Sequence, residues 1–125
     1  MRVGLSGADM GVSWMLPRIV GLGAATELLM TGDFIDAARA HEIGLYNKVV
    51  PQEQVLSEAT ALAERLAKGP QEGLAATKRA LNDEASMDLD QALEYEAVVQ
   101  AQLMEHPDYR EAYEAFRAKR PPRFA

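Results

Sequence analysis

The chain has no cysteine, which excludes both a disulfide framework and a thiolate metal site. Histidine is nearly as scarce. His41 and His106 stand far apart, without ligand-like spacing, so no metal site is expected. Aromatic residues make up 6% of the chain, with Trp14 the single tryptophan. No apolar run approaches the length of a membrane span, so no membrane partner is expected. The start Met1-Arg2-Val3-Gly4 lacks the apolar core of a signal peptide, and the expected location is the cytoplasm. Acids outnumber bases 19 to 13, and a net charge of −6 argues against nucleic-acid binding, which needs a basic surface. What remains is ordinary soluble-domain usage, 48% hydrophobic and 26% charged over 125 residues.

Glycine is the residue placed most informatively. Six of the nine lie within the first 32 residues, several in Val3-Gly4-Leu5-Ser6-Gly7-Ala8-Asp9-Met10-Gly11. A chain uses glycine where its backbone needs positive φ or passes close to something. Asp9 is isolated there, with no further acid before Glu27. An acid in a small, apolar loop ahead of a helix is an active-site candidate. It is equally a candidate N-cap, since aspartate is among the best residues for that position.

Past this loop the pattern is helical. Val12, Met15, Leu16 and Ile19 are at helical spacing, with Pro17 limiting the run. Gly21 and Gly23 break the chain, and a second short helix covers Ala24 to Met30, ended by Gly32. Asp36 caps a helix from Ala37 to Ile43, closed by Gly44. Gln52 to Ala67 is amphipathic, with Val55, Leu56, Ala59, Leu62, Ala63 and Leu66 on one face. A further helix covers Gln71 to Leu81. Asp88 or Ser86 caps the next, and Asp108 is the expected cap of the last, which Pro121-Pro122 stops.

Strand signals are confined to Val3–Leu5 and Leu45–Val50, and two short strands make no stable sheet by themselves. The first 50 residues therefore read as elements meant to pack on a larger sheet, and the chain is expected to be a piece. Charge is segregated too. Residues 83 to 96 carry six acids and no base, a solvated helix face. The last nine residues carry Arg117, Lys119, Arg120 and Arg123 and no acid. That tail either complements a helix C-terminus or holds a phosphate. Ser6 and Ser13 lie in no nucleophile elbow, and Gly4, Gly7 and Gly11 form neither a GxGxxG nor a P-loop.

The block Thr31-Gly32-Asp33-Phe34-Ile35-Asp36-Ala37-Ala38-Arg39-Ala40-His41-Glu42-Ile43-Gly44-Leu45-Tyr46-Asn47-Lys48-Val49-Val50-Pro51 resembles the enoyl-CoA hydratase/isomerase (crotonase) superfamily, with its TG, paired alanines, GL and VVP. Phe116-Arg117-Ala118-Lys119-Arg120-Pro121-Pro122-Arg123-Phe124 is similar to that family's FxxKRxPxF ending, and Gly4-Leu5 through Leu16-Pro17-Arg18 to its GL…G…LPR stretch. The resemblance covers essentially the whole chain, but only the C-terminal half of a family member.

The resemblance implies a mostly α chain, the C-terminal helical part of a crotonase-like α/β (ββα spiral) fold with one or two short strands. Residues 1–50 would end the crotonase core, and 51–125 would form a helical oligomerisation region. The implied chemistry is hydration or double-bond isomerisation of acyl-CoA thioesters through a stabilised enolate, as a lyase or isomerase of fatty-acid metabolism. Coenzyme A enters as part of the substrate, and no separate cofactor is implied. The family's backbone oxyanion hole has no counterpart in this chain, nor has the acid/base glutamate that many hydratases carry just before the GL segment. The isolated chain is thus expected to be inactive. GLSGADMG is similar to the GLAADVG segment of dienoyl-CoA isomerases, with one extra residue, which implies Asp9 as a proton-handling carboxylate. Met10 and Trp14 would line the acyl pocket, and Lys119 matches the family lysine that contacts a coenzyme A phosphate. A homo-oligomer is implied, a trimer or hexamer in the family and a dimer for this chain. Half of a split enzyme and a non-catalytic self-association module are the alternatives.

Overall fold

The computed structural model describes residues 4–124, and nearly all of its regular structure is helical. The chain divides into two units, Met1–Val55 and Leu56–Ala125.

In the first unit, α1 (Val12–Thr31) is two helical runs joined at Gly21, whose φ of 79° and ψ of 158° lie outside the helical region. A break at both Gly21 and Gly23 is therefore corrected to one at Gly21, which alone takes the left-handed φ. Pro17 sits inside the first run without ending it. Gly32, at φ 68°, closes α1 by donating its N–H to the Leu28 carbonyl at 3.0 Å. Helix α2 (Ala37–Glu42) opens on the Asp36 carboxylate, which accepts the Arg39 N–H at 2.8 Å. It ends in a Schellman pair, with Leu45 N–H on the Ala40 carbonyl and Gly44 N–H on that of His41. Gly44 supplies the required positive φ, 80°.

Residues 45–50, one of the two strand candidates, form no strand. Among the described residues nothing pairs with them in a ladder, and a strand without a partner has no hydrogen bonds to hold it. The other candidate, Val3–Leu5, lies partly outside the described residues.

A 3₁₀ turn, Gln52–Gln54, leads into α3 (Val55–Ala67). Three carbonyls at the end of α3, those of Leu66, Ala67 and Gly69, accept from the Gln71 side-chain amide at 2.8–3.1 Å. Then come α4 (Gln71–Asp83), α5 (Leu89–Glu105) and α6 (Pro107–Arg117). Asp88, not Ser86, caps α5 through a full capping box with Gln91. The cap of α6 is His106, whose Nδ1 accepts the Asp108 N–H at 3.3 Å, so the expected Asp108 cap is corrected. Pro107 takes the first helical position, which puts the cap at His106, two residues before Asp108.

Helix α4 packs on α5, and α5 on α6. The buried hydrophobic residues are Ala25, Ala40, Ala76 and Ala115, small side chains that let backbones approach closely. No large side chain is fully buried among the described residues. Leu56 is 78% exposed, and Val55, Leu62 and Leu66 on the same helix are also open to solvent. Much apolar surface thus lacks the cover that a folded protein ordinarily gives it.

Candidate active site

The loop ahead of α1 is held by backbone. Ser6 Oγ accepts the Ala8 N–H at 3.0 Å, and the Asp9 carbonyl accepts the Val12 N–H at 2.9 Å. Gly7 lies against the second run of α1, so close that a Cβ there would sit 2.5 Å from the Leu29 carbonyl oxygen. Two successive residues then take left-handed φ: Met10 at 47° and Gly11 at 83°. Glycine accepts that conformation freely, whereas for methionine it costs roughly 1 kcal/mol or more.

Gly11 is the N-cap of α1, and no side chain caps that helix. Asp9 is exposed, and its carboxylate makes no hydrogen bond or ion pair among the described residues. The N-cap alternative for Asp9 is therefore corrected: the two left-handed residues that follow it set the helix start beyond its reach. Among the described residues the carboxylate is left free, on a loop that rests on α1 at Gly7. Met10, beside it, is 93% exposed. Trp14 stands in the first turn of α1 at 52% exposure, its indole covered by the Arg18 guanidinium 3.8 Å from the ring centroid. Arg18 also donates to the Trp14 carbonyl at 2.8 Å, so one cation braces both ring and backbone.

Lys119 belongs to the second unit. Helix α6 ends in another Schellman pair, Lys119 N–H on the Phe116 carbonyl at 3.1 Å and Arg120 N–H on that of Ala115 at 3.0 Å. Lys119 occupies the position where glycine is usual, at φ 51°. Its ammonium is exposed and makes no bond among the described residues.

The sequence missed Glu111. Its carboxylate takes Arg120 in a two-pronged pair, at 2.6 and 2.9 Å, and accepts the Arg123 N–H at 2.7 Å. The nine-residue separation from Arg120 matches no helical pairing rule. The one available signal was a basic tail with no acid of its own. The Arg120 bond first, and then the Arg123 N–H, hold the Glu111 carboxyl down from 4.5 to about 2. A depressed carboxyl contributes stability above its unfolded pKa and loses it as pH falls through the folded one. The clasp is therefore expected to be intact above pH 4.5 and to open as pH falls towards 2. An NMR titration of the Glu111 carboxyl carbon checks this, and a midpoint near 4.5 would mean the clasp is open in solution.

No group of three or more His, Asp or Glu suited to a metal occurs among the described residues, and none of their helices is long and apolar enough to cross a membrane. The family model for enoyl-CoA hydratase/isomerase matches residues 1–125. The chain belongs to this family. Among its relatives, the 1,2-epoxyphenylacetyl-CoA isomerase of Escherichia coli K12 is 39% identical over 116 residues, which are 93% of this chain and 44% of that protein. The crotonyl-CoA hydratase of Syntrophomonas wolfei is 38% identical over 114 residues, covering 91% of this chain and 44% of its own. A crystal structure of an assigned enoyl-CoA hydratase from Streptomyces coelicolor A3(2) superposes with a TM-score of 0.95 at 48% identity, over 99% of this chain and 45% of that one. This enoyl-CoA hydratase/isomerase family chain thus spans about half the length of the curated relatives it matches. Its architecture is that of the helical, C-terminal part of the crotonase fold.

Proposed function

We propose that this chain supplies the C-terminal part of an acyl-CoA hydratase or isomerase, whose remaining half brings the oxyanion hole. Asp9 moves a proton at the acyl chain, Met10 and Trp14 line the acyl pocket, and Lys119 contacts a coenzyme A phosphate. The observation that carries this reading is Asp9 itself: a carboxylate with no partner among the described residues, on a backbone-braced loop within a chain matched to the family from end to end. General acid–base chemistry needs such a group, positioned but uncommitted. The thioester enolate would form against backbone donors in the other half, where oxyanion stabilisation is the larger contribution.

The uncovered surface of α3 supports both the missing half and a second reading, a non-catalytic helical module that self-associates. Purification from the source cells separates them. Recovery of a native polypeptide near twice 13.7 kDa, or of a second chain in constant proportion, is the expected result. A 13.7 kDa chain that sediments only as an oligomer of itself would favour the module. A stable monomer at micromolar concentration would count against both.

A further inference from the structure

We propose that Glu111 is a positioning residue for Lys119, fixing the turn from which the lysine meets the 3′-phosphate of coenzyme A; this rests on Lys119 being a phosphate contact.

Lys119 lies between the end of α6 and the tail that Glu111 ties back. On one side its backbone is fixed by the Schellman pair to Phe116 and Ala115. On the other, Glu111 grips the Arg120 guanidinium with both oxygens and the Arg123 N–H with one. Arg120 also donates to the Pro121 carbonyl at 3.2 Å, so the clasp spans the Pro121-Pro122 step, where no backbone N–H is available. A lysine at positive φ returns readily to ordinary backbone angles unless its neighbours over-determine the turn. Three bonds to one half-buried carboxylate supply that constraint.

The cations of the tail are not equivalent. Arg120 is committed to Glu111, and Arg117 lies 5.9 Å from the centroid of the Tyr113 ring. Lys119 is exposed, its ammonium makes no bond among the described residues, and the clasp holds the backbone on either side of it. A point charge on a flexible stem gains from such pre-ordering, because less freedom is lost when the anion arrives.

The test compares coenzyme A with 3′-dephospho-coenzyme A by titration calorimetry on the protein as purified. A single charge-assisted contact should favour coenzyme A by about tenfold. Lys119→Met should abolish that preference. Glu111→Gln should reduce it to about twofold or less, with the affinity for the dephospho form and the helical circular dichroism unchanged. Arg120→Gln opens the same clasp from the tail side and should act alike, which keeps the test open if the Glu111 variant folds poorly. Restoration by Glu111→Asp would separate carboxylate positioning from mere bulk. If Lys119→Met abolishes the preference and neither clasp variant changes it, Glu111 has no positioning role while the Lys119 contact stands. If the unaltered protein shows no preference, or Lys119→Met retains it, the Lys119 contact fails and the inference falls with it.

Discussion

Asp9→Asn, made in the complete catalytic unit, is expected to lower turnover by about 10²–10⁴-fold, the range over which a positioned proton-transfer group contributes. Stability should stay within about 0.5 kcal/mol, as for a surface position away from special features. The asymmetry follows from two observations: the carboxylate has no partner among the described residues, and Gly11 is the cap of α1. Asparagine keeps the shape and removes only the proton-accepting charge. It is also as good an N-cap as aspartate, so a capping role would leave both turnover and stability unmoved. The measurement is kcat for an enoyl-CoA substrate beside the melting temperature. Unchanged turnover would remove Asp9 from the mechanism and leave the loop without an acid.

Gly7→Ala should be the most damaging of the glycine substitutions. The new Cβ would meet the Leu29 carbonyl oxygen at 2.5 Å, and that oxygen belongs to a helix backbone that cannot swing aside like a side-chain tip. Overpacking of this kind costs about 1–3 kcal/mol. The loop can relieve the clash only by lifting off α1, and Asp9 two residues on would move with it. Turnover of the complete unit should fall together with stability, unlike the Asp9 case. Two other glycines serve as controls. Gly4→Ala meets no atom within 4 Å and carries only the strain of φ +69°, about 1 kcal/mol. Gly23→Ala also meets nothing within 4 Å, in a helix at ordinary φ, and should stabilise by about 0.5–1 kcal/mol. Thermal denaturation of the three variants gives the order directly. A Gly7→Ala protein as stable as Gly23→Ala would mean that the loop does not rest on α1 in solution.

The elements that were legible in the sequence are those whose cause is local. Asp36 and Asp88 cap because a short carboxylate reaches an N–H three residues on, and both bonds are present. Gly32 and Gly44 end helices because glycine takes positive φ without steric cost, and both have positive φ. The family motif was equally readable, since it depends on residue identity at fixed spacing. The errors occurred where two local rules competed. His106 displaced Asp108 as a cap once Pro107 took the first helical position. Gly21 kinked α1 and Gly23 did not, and nothing in composition ranks one above the other.

The amino-acid sequence by itself determined the family and those helix ends whose cause is a single capping side chain or a closing glycine, Asp36, Asp88, Gly32 and Gly44, because those depend on residue identity within a few positions. Only the tertiary structure decided that Gly7 supports the loop through Leu29, that Asp9 is free of the helix, and that Glu111 holds the tail around Lys119. Each of these is a contact between residues from nine to 22 positions apart, or the release of one expected locally. Such pairs form when a loop or a tail folds back along a helix, and no short-range pattern encodes which partners then meet.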